Sequence, residues 1–179
     1  MTVYSKQNPE TIQAMFNSIA KNYDRTNAVL SFQMHRWWNR ALIKQTMEAS
    51  PPAVLLDLCC GTGAIAFEYL KRTTQPVKAY MLDFSEEMLS CAREHASQQN
   101  FRHHSIDYLQ ADAQAIPLPN NSVDCATIAY GIRNVTSPRR CIEDVYRVLQ
   151  PGGSFGILEL TEPKNKLLRF GHRLYLRTM

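Results

Sequence analysis

Short apolar runs alternate with amphipathic stretches over most of the chain. Each run is continuous and bounded by turn residues, whereas the stretches between the runs keep the spacing of an α-helix. The pattern predicts strands at Val54–Leu58, Val77–Leu82, Ile106–Gln110, Val123–Tyr130 and Phe155–Leu160, and helices at Ile65–Leu70, Glu86–Ala96 and Arg140–Leu149. Apolar strands that alternate with helices are typical of a parallel sheet covered on both faces. We therefore expect an α/β fold with a mostly parallel sheet.

The first fifty residues follow a helical pattern instead. Asn8-Pro9-Glu10 is a typical helix start, and apolar residues continue at helical spacing to Tyr23. A second helical stretch runs from about Leu30 to Met47. The sequence therefore predicts a helical cap over residues 1–50 and an α/β core over residues 51–179, within one domain overall.

Composition is that of an ordinary globular protein, with 45% hydrophobic and 20% charged residues among 179. No apolar window approaches the roughly 18 residues of a membrane-spanning helix, and the N-terminus lacks a signal-peptide pattern. The five cysteines do not have metal-ligand spacing, so we expect reduced thiols and no metal site. These features predict a cytoplasmic protein.

The net charge of +4 comes from one end of the chain. Residues 164–179 contain Lys and Arg but no acidic residue, whereas the rest of the chain is close to neutral. Because no groove of basic and aromatic residues is indicated, we do not expect nucleic acid as a partner. The basic segment also has apolar residues at helical spacing, so it is either an ordinary surface helix or a helix that contacts an anionic membrane.

Two glycines, Gly61 and Gly63, follow the first predicted strand and open a helix. Backbone N–H groups in such a loop can approach the anionic atoms of a ligand. The lysine pattern of a P-loop is absent, which argues against a nucleoside triphosphatase. Gly61, Gly63 and Ala66 match the dinucleotide fingerprint, so NAD and S-adenosylmethionine both remain compatible with the loop.

Acidic residues near three predicted strands distinguish these two ligands. Asp83 follows the loop by about 20 residues, where a carboxylate binds ribose hydroxyls of either ligand. Asp57 precedes the loop and suits the ammonium group of a methionine moiety better than a pyrophosphate. Asp112 and Ala113 close the third strand, where the carboxylate can accept from the adenine amino group. The three acids favour S-adenosylmethionine over NAD.

Three segments carry a resemblance to a known family. The segments YDRTNAVLSFQMHRWW (23–38), AYGIRNVTSP (129–138) and RVLQPGGSFGILELT (147–161) resemble those of the ubiquinone/menaquinone-biosynthesis C-methyltransferases. The resemblance implies a class I S-adenosylmethionine-dependent methyltransferase, Rossmann-like, that methylates a ring carbon of a polyprenylated quinol. Demethylmenaquinol is the implied acceptor, and the benzoquinol intermediate of ubiquinone synthesis is the alternative.

The resemblance also implies the positions of the site residues. Thr62 and the loop glycines lie at the methionyl end of the cofactor, Asp83 at the ribose, and Asp112-Ala113 at the adenine. Arg133 and Asn134 fall in the segment on the acceptor side. We expect Arg133 to stabilise a phenolate and Asn134 to orient it, the alternative for Arg133 being a salt bridge that holds its loop.

His35 is a second candidate base, because the pKa of an unperturbed imidazole lies near neutrality. The equal alternative for His35 is a packing residue of the cap. Tyr23, Trp37 and Trp38 are expected to line or support the acceptor pocket. The acceptor's isoprenoid tail implies a peripheral contact with the inner face of the membrane.

Family members continue beyond the fifth strand with a helix and an antiparallel strand pair, so the chain is expected to be C-terminally truncated and to lack that final strand pair. Phe155–Leu160 is then an open sheet edge, which invites association into a homodimer. The same feature leaves an alternative to the methyltransferase: a truncated, non-catalytic module that binds S-adenosylmethionine.

Overall fold

The fold is built on five parallel strands. A computed structural model describes residues 9–20, 31–48, 50–161 and 165. The strands are β1 (Val54–Leu58), β2 (Lys78–Asp83), β3 (Ser105–Gln110), β4 (Val123–Ala129) and β5 (Leu149–Leu158). Their order across the sheet is β3-β2-β1-β4-β5. All four pairings are parallel, which confirms the predicted α/β architecture.

Of the described α-helices, two precede β1, and one follows each of β1, β2 and β4. They are α1 (Pro9–Ile19), α2 (His35–Ile43), α3 (Ala64–Leu70), α4 (Glu86–Ser97) and α5 (Pro138–Val148). One π-helical turn, Lys44–Glu48, continues α2, and a 3-10 turn, Ile132–Asn134, follows β4. Serine side chains cap the two longer core helices: the hydroxyl of Ser85 accepts from Met88 N–H at the start of α4, and that of Ser137 accepts from Arg140 N–H at the start of α5.

Alternate residues of each strand pack against helices on opposite faces of the sheet. On one face, Leu55 and Met81 pack with α3, α4 and the apolar side of α2. On the other face, Leu56 and Leu58 pack with Cys141, Val145 and Val148 of α5. This double coverage explains why the central strands β1 and β4 are largely apolar and do not alternate with polar residues.

Helix α2 is part of this core. Leu42 and Met47 belong to the same apolar cluster as β1. The packing against β5 is close: a Cβ added at Gly156 would lie 2.5 Å from Cγ2 of Thr46. The division into a cap over residues 1–50 and a core over residues 51–179 stays a prediction.

Two predicted element boundaries are wrong for identifiable reasons. The second helix begins at His35, because Phe32 and Gln33 in the preceding turn have left-handed φ values of 46° and 61°. Strand β5 begins at Leu149, well before the predicted Phe155, and its register against β4 shifts between Val123 and Cys125. Gly152, with a φ of 84°, lies in this irregular part of the strand.

Several predictions concern residues that the structure does not describe. Tyr23 and the start of the second predicted helix at Leu30 are among them, as is the basic segment 164–179 apart from Asn165. In the described ranges, none of the helices is long and apolar enough to cross a membrane.

Candidate functional site

The strand order reverses between β1 and β4, and the glycine loop lies at this point. Chain order runs outward from β1 through β2 to β3, and then returns to β4 on the other side. Ligands of doubly wound sheets bind at such a switch point, beside the carboxyl ends of the strands. The loop therefore has the position that the sequence predicts for a cofactor site.

The loop itself requires its glycines. Gly61 and Gly63 have φ values of 53° and 91°. A Cβ at Gly63 would lie 2.2 Å from the ring of Phe67, so the chain passes too close to α3 for any side chain. Gly63 N–H donates to Cys60 O at 2.9 Å, and α3 begins at the next residue. This geometry turns the backbone sharply from β1 into α3.

Asp83 holds the loop against β2. Its carboxylate accepts from Gly61 N–H at 2.8 Å and from Ser85 N–H at 2.9 Å. Burial raises the pKa of Asp83, and these backbone hydrogen bonds oppose the rise. The carboxylate thus ties together the glycine loop and the turn before α4, and its role at a ribose stays a prediction.

Asp57 lies inside the protein. One carboxylate oxygen accepts from the Thr127 hydroxyl at 2.8 Å, and the other accepts from Ala66 N–H at 3.3 Å. Burial raises the pKa of Asp57 to about 7. The hydrogen bonds of this side chain connect β1 to β4 and to α3, so Asp57 holds these three elements together. Its predicted contact with an ammonium group stays a prediction.

Asp112 and Ala113 follow β3. Both oxygens of Asp112 accept from the side-chain amide of Gln114 at 3.0 Å. The amide oxygen of Gln114 accepts in turn from Ser137 N–H at 2.7 Å, which links this turn to the start of α5. Ala113 is buried. Adenine recognition by this pair stays a prediction.

Two cavities meet at the carboxyl edge of the sheet. The smaller one, of about 100 Å³, is lined by Asp83, Asp112 and Ala113 together with apolar side chains such as Phe84 and Met88. The larger one, of about 460 Å³, is lined by residues from α2, the glycine loop, α3 and α4. Both cavities are lined by Cys59, Gly61, Ala129 and Tyr130. The structure thus brings two of the predicted acids into one cavity, and Asp57 with Thr62 and Gly63 into the other.

The junction of the cavities is formed by strained backbone that sequence reasoning missed. Cys59 and Tyr130, the residues directly after β1 and β4, are not glycines but have left-handed φ values of 49° and 58°. Such conformations cost about 1–3 kcal/mol each and are concentrated at functional sites. The Tyr130 hydroxyl donates to Oδ1 of the buried Asn39 at 3.0 Å, which fixes α2 to the end of β4. The sequence does offer one signal for Cys59 and Tyr130: Cys59 directly follows one predicted strand and Tyr130 ends another, and these two strands are neighbours in the sheet.

Arg133 and Asn134 lie in the 3-10 turn after β4, but they line different cavities. Arg133 lines the larger cavity and Asn134 the smaller one. The guanidinium of Arg133 forms a salt bridge with Glu159, and Arg133 N–H donates to the same carboxylate at 3.3 Å. The alternative anticipated for Arg133, a salt bridge that holds its loop, is therefore present. Its role in a reaction stays a prediction.

Two histidines line the larger cavity, of which only one was predicted. Nδ1 of His35 lies 2.6 Å from the Ser31 hydroxyl. Nδ1 of His95, in the last turn of α4, lies 3.3 Å from Thr62 O in the glycine loop. Trp38 lines the same cavity, whereas Trp37 is 78% exposed and does not support a pocket. Nothing in the pattern around His95 indicates that the fold brings it to the loop.

Comparison with known proteins identifies the family. The ubiE/COQ5 methyltransferase family matches residues 1–179. A protein of Protochlamydia amoebophila named demethylmenaquinone methyltransferase is 54% identical over the whole chain, which covers 74% of that relative. A protein of the same name from Chlamydia pneumoniae is 40% identical over 96% of the chain and 71% of the relative.

Solved structures share the fold at lower identity. A SAM-dependent methyltransferase from Aquifex aeolicus superposes with a TM-score of 0.66 at 20% identity, covering 90% of this chain and 86% of that one. The [4+2]-cyclase SpnF superposes with a TM-score of 0.64 at 24% identity, covering 73% of this chain and 47% of that one. The fold alone thus accommodates more than one chemistry, and sequence decides between them. The end-to-end family match and the 54% identical relative show that the chain belongs to the ubiE/COQ5 methyltransferase family, with the fold of the S-adenosylmethionine-dependent methyltransferases.

Proposed function

We propose that the protein methylates a ring carbon of a polyprenylated quinol, demethylmenaquinol, with S-adenosylmethionine as the methyl donor. The observation that carries the proposal is the meeting of two differently lined cavities at Cys59, Gly61, Ala129 and Tyr130. One cavity suits a nucleoside and the other a larger acceptor, so a donor and an acceptor can approach each other there. The names of the Protochlamydia and Chlamydia relatives support the choice of acceptor. The benzoquinol of ubiquinone synthesis is the alternative.

The smaller cavity has the chemistry that adenosine requires. Phe84 and Met88 offer apolar walls to a flat base, and the Asp83 and Asp112 carboxylates offer acceptors to hydroxyl and amino groups. Thr62, Gly63 and Asp57 line the adjoining cavity, where a methionyl group would extend. When bound, S-adenosylmethionine supplies a methyl group to the ring carbon and leaves as a neutral thioether, while the ring loses one proton.

Arg133 is our candidate for stabilising the acceptor. A quinol that has lost a hydroxyl proton carries negative charge on oxygen, and that charge makes the neighbouring ring carbon nucleophilic. A guanidinium has five N–H donors, so the salt bridge to Glu159 can orient Arg133 while other donors remain for the oxyanion. Asn134, the next residue, would orient the ring from the side of the smaller cavity.

His35 is the second candidate, for the proton. If its Nδ1–H donates to the Ser31 hydroxyl, Nε2 carries no proton and can accept one from the quinol. If the hydroxyl donates to Nδ1 instead, the neutral ring carries its proton on Nε2 and cannot act as a base. The direction of the hydrogen bond between His35 and Ser31 thus determines whether Nε2 of His35 can accept a proton.

The acceptor also determines where the protein works. An isoprenoid tail partitions into a bilayer, so we infer a cytoplasmic protein with a peripheral contact at the inner face of the membrane. Among the described residues, no strand pairs with the outer side of β5, and Ile157 on that strand is 46% exposed, which supports a homodimer as a further proposal.

A methyl-transfer assay tests the proposal. Labelled S-adenosylmethionine is incubated with demethylmenaquinol or with the benzoquinol, and label in the extracted quinol is measured. We expect transfer to the naphthoquinol, and stronger transfer to the benzoquinol would reverse the choice of acceptor. Thermal stabilisation by S-adenosylhomocysteine without transfer to either quinol would favour a non-catalytic binding module, and stabilisation by NADH would favour an oxidoreductase.

A further inference from the structure

Large apolar side chains are exposed on the turn 31–34 and at the start of α2. Phe32 is 68% exposed, Met34 52% and Trp37 78%. We refer to these three residues as the apolar rim. Single exposed apolar residues are common on protein surfaces, but three within six residues form a patch that suggests an interaction.

The apolar rim borders the larger cavity. Ser31, His35 and Trp38, which alternate with the rim residues along the chain, line that cavity. The helix therefore has one side turned to the cavity and another side exposed to solvent. Phe32 has a left-handed φ of 46°, which a bulky residue adopts only at a cost in free energy. Strain of this kind at an exposed aromatic residue indicates a functional constraint on the turn.

The same segment is basic. Residues 31–45 contain Arg36, Arg40 and Lys44 but no Asp or Glu. Arg40 contacts Glu68 of α3 at 3.4 Å, whereas Arg36 and Lys44 are exposed. Lys44 follows Trp37 by seven residues, which corresponds to two helical turns, so both side chains lie on the same side of α2. Aromatic and basic side chains on one exposed side match the charge of an anionic lipid surface.

We propose that the apolar rim docks the protein onto an anionic bilayer, with Phe32, Met34 and Trp37 at the boundary between headgroups and acyl chains. Helix α2 is too short to span a bilayer, so it would lie along the surface. The mouth of the larger cavity then faces the lipid, and a quinol ring enters while its tail stays in the membrane. This docking surface rests on the proposed acceptor, and it is distinct from the basic segment 164–179.

Vesicle flotation tests the docking surface. Wild-type protein is mixed with phosphatidylcholine vesicles that contain or lack phosphatidylglycerol. Trp37→Ser combined with Phe32→Asn is expected to lower the partition coefficient about tenfold or more, because two large apolar side chains no longer leave water. Asparagine tolerates the left-handed φ of position 32. Tyr146→Ser is the matched control, because Tyr146 is 82% exposed on α5 and lines neither cavity.

Lys44→Gln tests the charge component. It is expected to weaken binding about fivefold on vesicles with phosphatidylglycerol and to leave binding to neutral vesicles unchanged. Equal partition of wild type and the double variant would overturn the proposal, as would a failure of the wild type to bind vesicles. Dissociation of a dimer by the double variant, without loss of vesicle binding, would assign the rim to a protein interface instead.

A soluble acceptor separates this inference from the proposed function. The double variant should methylate a short-chain, water-soluble demethylated quinol at the wild-type rate and lose activity only on quinol embedded in vesicles. If the wild type does not methylate the soluble quinol, the proposed function fails while the vesicle result still stands. If the wild type and the double variant are equally active on embedded quinol, the docking surface is refuted and the function is kept.

Discussion

Arg133 forms a salt bridge with Glu159, and we propose that it also contacts the oxyanion of the acceptor. Its side chain is about half-exposed, so the salt bridge by itself contributes little to stability. A guanidinium held at the wall of a cavity by a carboxylate is nevertheless well oriented for an incoming anion. We therefore predict that Arg133 contributes more to turnover than to folding.

Replacing Arg133 with alanine is therefore expected to lower kcat about 100- to 1000-fold, since one donor to an oxyanion is worth roughly 3–4 kcal/mol. The dissociation constant of S-adenosylhomocysteine should stay within about twofold, because that donor contacts only the acceptor. Steady-state kinetics and calorimetry measure the two quantities. Arg139→Ala is the control, because Arg139 is exposed and pairs with Glu143 within α5. Weakened cofactor binding with unchanged kcat would refute the assignment.

Asp57 is expected to make stability depend on pH. Its pKa is raised from 3.8 to about 7 in the folded protein, so the folded state binds more protons than the unfolded state between these values. The free energy of unfolding should therefore fall as pH rises from about 4 to 7 and level off above that. Asp57→Asn should flatten this decline, since an amide does not ionise and the Thr127 hydroxyl can rotate to accept from it.

Urea denaturation at several pH values between about 4 and 8 measures the effect, as the difference between the two proteins at each pH. Acids that do not interact with Asp57 contribute equally to both curves and cancel in that difference, whereas the pKa of Asp57, which burial raises, is raised further by the charge of Asp83, and that interaction is part of the measured effect. Parallel curves for Asp57→Asn and the wild type would show that the buried carboxyl does not titrate in this range.

At the level of elements, the glycine loop combines backbone strain with close packing. Gly63 needs a φ of 91° and has the Phe67 ring 2.2 Å from where its Cβ would be. Gly152 needs a similar φ of 84°, but nothing lies within 4 Å of its Cβ position. Alanine substitutions at these two positions can therefore separate the cost of the left-handed backbone from the cost of overpacking, both measured as a loss of free energy of unfolding.

Gly63→Ala should lower the free energy of unfolding by about 3 kcal/mol, whereas Gly152→Ala should lower it by only about 1 kcal/mol. The difference is the overpacking of Phe67, and it should shrink when Phe67→Leu is added to Gly63→Ala. Denaturant unfolding of the variants gives all the values. Equal losses at Gly63 and Gly152 would mean that α3 moves away freely, which would contradict a tightly held loop.

Helix α1 reaches the cofactor side of the sheet. The Gln13 side-chain amide donates to Phe84 O at 3.0 Å, and Oδ1 of Asn17 accepts from the Ser85 hydroxyl at 2.6 Å. Gln13 also lines the smaller cavity. Two side chains of α1 thus attach this helix to the turn after β2, beside the proposed adenosine site, although the two segments are about 70 residues apart in the sequence.

Gln13→Ala combined with Asn17→Ala is expected to raise the dissociation constant of S-adenosylhomocysteine about five- to tenfold, because each neutral hydrogen bond contributes about 0.5–1.5 kcal/mol. Calorimetric titration measures this. Ser18→Ala is the control on the same helix, since its hydroxyl donates to the local carbonyl of Met15. Identical affinities in the three proteins would show that α1 does not take part in cofactor binding.

For the whole molecule, the sheet was predictable because its central strands are buried on both faces. Runs such as Val54–Leu58 can then be apolar without interruption, and the glycine loop and Asp83 follow from their positions at strand ends. The contact of His95 with the loop was not predictable, since its position depends on how α4 packs across the sheet. The same applies to the left-handed Tyr130 and its bond to Asn39, which depend on two elements 91 residues apart.

Because only four of the described residues line both cavities, the walls of the two cavities are largely formed by different residues. A substitution on α2 or α3 can reshape the room for an acceptor without touching Phe84, Met88 or Asp112 on the donor side. New acceptor preferences can therefore arise by stepwise mutation while the donor stays the same. Laboratory evolution aimed at a different aromatic substrate should begin at positions such as Trp38, and leave Cys59 and Tyr130 unchanged.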